Sequence, residues 1–164
     1  MSIHPGTHES RPTRCEIREA EALAAPLRRE IARLGWTIAG MAAEGHRPSW
    51  VHTVGLLSKY AHPEFIVVGH DEGTSEVLLA QLAMRVAGGE RFSHEDLVEI
   101  EPFRYELGWV HPRHFELDTF GMWEPLMEMH LHHFGPTALQ VFPLDHEEVG
   151  PRLRWVLSRP QPIR

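Results

Sequence analysis

The sequence contains a single cysteine, Cys15, among its 164 residues. One thiol cannot form an internal disulfide, so a disulfide-stabilised scaffold is excluded. Cys15 lies in a leader rich in proline, serine, threonine and arginine, where a thiol is expected to be exposed to solvent. We interpret it as incidental rather than catalytic.

Long apolar runs are also missing from the chain. No stretch approaches the roughly 20 apolar residues that a membrane-spanning helix needs. The first residues are polar and lack the charged start and apolar core of a signal peptide. Apolar residues make up 42% of the chain, which is enough for one buried core at this length. We therefore expect a soluble, cytoplasmic protein of one domain with no membrane partner.

Common catalytic motifs are absent too. The chain has no Gly-x-Ser-x-Gly elbow, no P-loop and no Gly-x-Gly-x-x-Gly fingerprint. These absences argue against a serine hydrolase, a P-loop NTPase and a classical dinucleotide enzyme. We predict no cofactor.

The net charge of −7 is distributed unevenly along the chain. Acidic residues dominate the central part, and an acidic surface repels a phosphate backbone, so we predict no nucleic-acid partner. The last segment carries arginines and no acid, which fits a basic tail that folds against an acidic surface of this chain or of a neighbour. We predict a flexible leader (1–15), a single α+β domain (16–150) and a basic C-terminal tail (151–164).

Hydrophobic periodicity predicts three helices and six strands. The first helix covers residues 16–34, where Pro26 removes a backbone donor and predicts either a kink or two short helices. A second helix is predicted after an N-cap at Thr74 or Ser75, and a third over residues 123–134. The order of helices and strands along the chain predicts an α+β fold with a mainly antiparallel sheet and two or three helices packed on one face. The predicted strands are Trp36–Met41, Trp50–Leu56, Phe65–Gly69, Leu97–Ile100, Arg104–Val110 and Ala138–Phe142.

Histidine is abundant, with 13 residues, and three of them lie within residues 129–135. On a helix His130 and His132 point in different directions, so the three imidazoles do not converge. Two nitrogens without a third ligand make a weak zinc site. His111 and His114 form another pair, but no His-Glu-x-x-His or paired Cys-x-x-Cys motif completes it. We therefore predict no native metal site.

Two neighbouring segments hold the best candidates for a binding site, residues 52–56 (His-Thr-Val-Gly-Leu) and residues 62–64 (His-Pro-Glu). Pro63 favours an extended backbone at His62, and residues two apart in an extended chain face the same side. His62 and Glu64 are therefore expected together at the rim of an apolar interior. Such a pair can hold a ligand or orient a proton donor, while a structural role fits the sequence equally well.

Several short motifs, taken as a set, resemble the bacterial family known as domain of unknown function 4262 over about residues 35–143. The resemblance implies no particular activity, substrate or cofactor. The family pattern has a tyrosine at the position of His52 and Trp-Pro-Asp where this chain has Phe-Pro-Leu-Asp at residues 142–145. The motifs are Gly35-Trp36-Thr37, His52-Thr53-Val54-Gly55-Leu56, His62-Pro63-Glu64, Val67-Val68-Gly69, Gly89-Glu90-Arg91-Phe92, Pro112-Arg113-His114 and Leu139-Gln140-Val141.

The sequence thus favours a small ligand-binding or regulatory module with a pocket near residues 52–56 and 62–64. Its partner would be a small molecule or another protein, and the oligomeric state stays open. The alternative is a hydrolase-like enzyme that uses His62 and Glu64. The candidate ligand-binding residues are His52, Thr53, His62, Glu64, His114 and Gln140.

Overall fold

The computed structural model describes residues 14–46, 48–111 and 137–144, and these contain three helices and six strands. All six predicted strands are confirmed, with bounds that shift by two residues at most. The predicted helix over residues 123–134 lies outside the described residues, as does the predicted tail. The elements are α1 (Arg14–Leu34), β1 (Thr37–Met41), β2 (Trp50–Val54), α2 (Leu56–Tyr60), β3 (Glu64–Val68), α3 (Glu72–Ala87), β4 (Leu97–Ile100), β5 (Phe103–Trp109) and β6 (Ala138–Pro143).

The strands form one six-stranded sheet in the order β1-β2-β3-β6-β5-β4. Strands β3 and β6 are parallel, and every other neighbouring pair is antiparallel. The last of the described strands, β6, therefore lies in the middle of the sheet, between β3 and β5. The α+β class and the mainly antiparallel sheet are confirmed.

Both faces of the sheet are covered in its centre. Phe65 and Val67 pack in a cluster with apolar residues of α3, and we call this side the α3 face. Ile66 and Val68 point the other way and pack in a cluster with residues of α1, which defines the α1 face. The prediction placed the helices on one face, whereas α1 and α3 lie on opposite faces. A strand that is apolar on both sides needs cover on both.

Helix α1 is a single helix that continues through Pro26. The alternative of two short helices is therefore wrong. Ala24 is buried in the α1-face cluster, and Leu27 and Ile31 pack against it. This burial of apolar surface offsets the backbone hydrogen bond that a proline removes.

Helix α3 begins one turn earlier than its predicted N-cap. Asp71 is the N-cap residue, and its carboxylate accepts a hydrogen bond from the backbone N–H of Thr74 at 2.9 Å. Thr74 and Ser75 therefore lie in the first turn, and the predicted caps are wrong. Aspartate is among the strongest N-cap residues because its side chain satisfies an N–H group that has no partner within the helix.

The short helix α2 was not foreseen, since β2 was expected to run to Leu56. The strand ends at Val54 because Gly55 has a φ of 116°, which lies in a region that other residues rarely adopt. A Cβ atom on Gly55 would lie 2.5 Å from the carbonyl oxygen of Gly35. The turn at Gly55 therefore depends on glycine, and it directs the chain into α2.

Candidate functional site

Glu64, the first residue of β3, is completely buried. Its Oε2 atom accepts hydrogen bonds from the Thr53 hydroxyl at 2.7 Å and from the Leu56 N–H at 3.3 Å. Its Oε1 atom accepts from the Gly55 N–H at 2.9 Å and from the Leu57 N–H at 3.2 Å. All four partners donate, which suits an ionised carboxylate. The expectation that Glu64 lies at a rim is therefore wrong.

The position of Glu64 follows from the needs of α2. The first N–H groups of any helix have no partner within the helix. The N-cap residue Gly55 has no side chain that could accept from them, and α2 begins directly after it. The carboxylate of Glu64 takes that place from the neighbouring strand. It thereby fixes α2 to the start of β3.

Thr53 completes this arrangement, which we call the Glu64 network (Thr53, Gly55, Leu56, Leu57 and Glu64). The register of β2 with β3 ends at the pair His52 and Ile66, beyond which the strands separate. There the Thr53 hydroxyl donates to Glu64 and accepts from the backbone N–H of Phe65 at 2.8 Å. One hydroxyl therefore bridges the two strands where their ladder stops.

His62 is also buried, and both of its ring nitrogens have partners. Nδ1 lies 2.7 Å from the Pro63 carbonyl oxygen, which can only accept, so Nδ1 carries the proton. Nε2 accepts from the backbone N–H of Phe92 at 3.0 Å. The ring also contacts the rings of Phe65 and Phe92, with centroids 5.0 and 5.9 Å away. Burial lowers the pKa of His62, so the neutral form with this tautomer is the stable one.

His62 and Glu64 do not lie on a common face. The His62 ring packs on Phe65, which belongs to the α3-face cluster. Glu64 is paired in register with Ala138, which belongs to the α1-face cluster. The expectation of a shared face is wrong because β3 begins at Glu64, so His62 precedes the extended segment.

His52 and Gln140 do share a face of the sheet. His52 is paired with Ile66, which is paired in turn with Gln140, so both polar side chains flank Ile66 on the α1 face. Their Cα atoms are about 10 Å apart, because neighbouring strands lie roughly 4.8 Å from each other. Each side chain is only 2% exposed. The structure thus brings these two candidates together on one buried surface.

The imidazole of His52 is neutral at physiological pH. Burial lowers its pKa from 6.5 to about 4, against a smaller opposing effect of the hydrogen bond to Thr53. Nδ1 donates that bond to the Thr53 carbonyl oxygen at 3.0 Å. In the neutral ring, Nε2 therefore carries the lone pair.

Among the candidates within the described residues, Gln140 is the one with a buried polar atom that lacks a hydrogen-bond partner. Its Oε1 atom is buried and has no hydrogen-bond partner within residues 14–46, 48–111 and 137–144. Leaving a buried carbonyl oxygen without a donor costs about 1–3 kcal/mol, so most proteins avoid it. Among the described residues, this oxygen is therefore an unsatisfied acceptor on the buried α1 face.

Sequence reasoning missed two contributors to this region. The backbone N–H groups of α2, which bind Glu64, are invisible to a search for reactive side chains. Phe92, whose N–H group binds His62, lies in the Gly-Glu-Arg-Phe motif at residues 89–92, so that motif was the available signal. The remaining candidate, His114, lies outside the described residues.

Within residues 14–46, 48–111 and 137–144, no group of three or more His, Cys, Asp or Glu side chains is placed to hold a metal ion. The same part of the chain contains no helix with the length and apolarity that a membrane crossing requires.

The fold and the site define an α+β domain whose motif residues form a buried hydrogen-bond network at the start of a short helix. The chain belongs to the family described as domain of unknown function (DUF4262), whose family model matches residues 30–116. The resemblance seen in the sequence is confirmed over this range, and the motif at residues 139–141 lies beyond it. Comparisons with curated proteins and with solved structures give no match.

Proposed function

We propose that this protein is a small-molecule-binding module whose ligand lies on the α1 face between His52 and Gln140. The observation that carries the proposal is the buried Oε1 atom of Gln140, which has no donor among the described residues. An apolar wall with a few placed polar groups is typical of small-molecule sites. Here the apolar Ile66 lies between the two polar side chains in the register of the sheet.

The chemistry of these groups favours an uncharged ligand with an N–H or O–H donor. The Gln140 amide is neutral, and the lowered pKa of His52 keeps its ring neutral as well. A charged ligand buried against neutral groups would lose its hydration without an opposite charge to compensate. A donor from an amide, amine or alcohol would instead satisfy Gln140 Oε1 directly.

Thr53, His62 and Glu64 support this site as positioning residues. The Glu64 network holds β2, α2 and β3 together, and His62 holds the segment that contains Phe92. The alternative of a hydrolase that uses His62 and Glu64 has no support in this geometry, because the His62 ring nitrogens bind backbone groups and the two side chains belong to different faces.

His114 stays a candidate ligand-binding residue. The composition supports, as part of this proposal, a soluble cytoplasmic protein with no nucleic-acid partner and boundaries near residues 15 and 150.

Thermal-shift screening of a library of uncharged amides, amines and alcohols tests the proposal on the purified protein and on Gln140→Leu. A ligand present at about 100 times its Kd stabilises a protein by roughly 2.7 kcal/mol, which a melting curve resolves. We expect compounds that stabilise the unaltered protein and not the variant. The exposed Gln81 provides the matched control, and Gln81→Leu should respond like the unaltered protein.

Two results would contradict the proposal. Compounds that raise the melting temperature of Gln140→Leu as much as that of the unaltered protein would bind elsewhere. A library that stabilises neither protein would argue against a small-molecule site on this face.

A further inference from the structure

A cleft of about 450 Å³ lies between the end of α1 and helix α2, and neither His52 nor Gln140 lines it. Its walls come from residues 31–35 on one side and residues 58–60 on the other, with Gly55 between them. This volume is within the range of sites that hold small organic molecules. None of the candidates from the sequence analysis lines it.

Glycine backbones shape the cleft. Gly35 has a φ of 85°, and a Cβ atom there would lie 2.8 Å from Lys59 Cγ and 2.9 Å from the Tyr60 hydroxyl oxygen. That hydroxyl donates to the Leu34 carbonyl oxygen at 2.8 Å, which satisfies a carbonyl group at the end of α1. The two chain segments are thereby fixed against each other.

The charges around the cleft are all of one sign. Its lining includes Arg33 and Lys59 and no acidic residue. Within the described parts of the chain, neither cation has an ion pair or a hydrogen bond from its side chain. The protein as a whole carries a net charge of −7. Two cations beside one concavity raise the local concentration of anions.

We propose that this cleft binds a small organic anion, whose carboxylate or phosphate group is held by Arg33 and Lys59. Ile31 and Leu34 line the same cleft and offer apolar contact to the body of such a ligand. The Ser58 hydroxyl lines it as well and can donate to the anionic group. This site differs from the proposed site between His52 and Gln140 in its polar residues and in the charge of its ligand.

Nuclear magnetic resonance titration of the full chain with three related probes tests this proposal. The probes are phenyl phosphate, benzoate and the uncharged benzamide. We expect one or both anions to shift the backbone amide signals of residues 31–35 and 55–60, with an affinity that falls as salt is added. The two anions distinguish phosphate from carboxylate ligands. Benzamide should cause no comparable shifts.

Three variants establish which side chains hold the anion. Arg33→Gln and Lys59→Gln should each weaken binding at least about tenfold, as the loss of a charge-assisted hydrogen bond does. Arg29→Gln is the matched control, because Arg29 is an exposed cation of the same helix that does not line the cleft. It should leave the affinity unchanged.

The two cations could instead serve only to stabilise the C-terminal ends of their helices. In that case both variants would melt at a lower temperature and no anion would bind the unaltered protein. That result would overturn the proposal, as would equal binding of benzamide or equal affinities in all three variants.

Discussion

Thr53 and Glu64 are joined by a hydrogen bond of 2.7 Å in which the hydroxyl donates to a completely buried carboxylate. The same hydroxyl accepts from the Phe65 N–H group, so it links β2 to β3 where their ladder ends. The Thr-Val-Gly-Leu and His-Pro-Glu motifs therefore meet in one structural network. Their residues hold β2, α2 and β3 together.

Glu64→Gln should lower the free energy of unfolding by about 3 kcal/mol, because an amide nitrogen would face donors where a carboxylate oxygen accepts. Chemical denaturation followed by tryptophan fluorescence measures this change. Glu76, an exposed residue of α3, provides the control, and Glu76→Gln should change stability by less than about 0.5 kcal/mol. A loss below about 1 kcal/mol for Glu64→Gln would show that the carboxylate is not the anchor of α2.

The Thr53 and Glu64 side chains should also be energetically coupled. A double-mutant cycle of Thr53→Val and Glu64→Gln should give an interaction energy of about 1–2 kcal/mol, as expected for residues that share one buried hydrogen bond. The cycle of Thr53→Val with Glu76→Gln should be additive. Additivity in the first cycle would mean that the bond contributes little to stability.

Stability should fall in mild acid because of His52. Its pKa is about 4 in the folded protein and 6.5 in the unfolded chain, so the unfolded state binds more protons between these values. The contribution of His52 to the free energy of unfolding is fully present above pH 6.5. It decreases by about 3 kcal/mol as the pH falls to 4. The pKa of His62 is also lowered in the folded protein, so His62 likewise makes the protein less stable in acid.

Denaturation of the unaltered protein and of His52→Gln at several pH values in this window checks the contribution of His52. The variant should have a shallower pH dependence. The exposed His46 is the control, and His46→Gln should behave like the unaltered protein. Parallel curves for His52→Gln and the unaltered protein would show that His52 does not change its protonation on unfolding.

The strands could be predicted from the sequence because they are short apolar runs bounded by glycine, proline and charged residues. The predicted N-cap position of α3 was wrong by one turn, although Asp71 is a strong capping residue that the sequence shows. Helix α2 has only five residues, too few for a periodic pattern, and its start depends on the φ of Gly55. Local patterns thus identified most elements and missed the one that a glycine turn creates.

The site was harder to predict because its contacts are distant in sequence. The donors to Glu64 lie 7 to 11 residues before it, and the donor to His62 lies 30 residues after it. The alternation of side chains along an extended strand therefore predicted that His62 and Glu64 lie at a rim. In the structure both are buried and hydrogen-bonded to residues distant in sequence. His52 and Gln140 come together only because β6 inserts beside β3, which no local pattern indicates.

We expect the protein to lack a native transition metal. The described residues contain no suitable group of ligands, and the histidine-rich segment at residues 129–135 lies outside them, so the prediction from its helical spacing stays untested. Protein made without a tag and kept from metal resins should carry less than about one tightly bound transition metal per ten chains, since zinc sites use three or four protein ligands. Elemental analysis that finds near-stoichiometric zinc or iron would refute this.

The unfolding free energy of Gln140→Leu, measured without added ligand, tests most directly whether the Gln140 amide is kept for a ligand. Leucine has a similar size and removes the buried oxygen that lacks a donor, so the variant should be more stable than the unaltered protein by about 1 kcal/mol. A stability loss of more than about 1 kcal/mol would show that the amide makes hydrogen bonds within the folded chain, and it would contradict the proposed binding site.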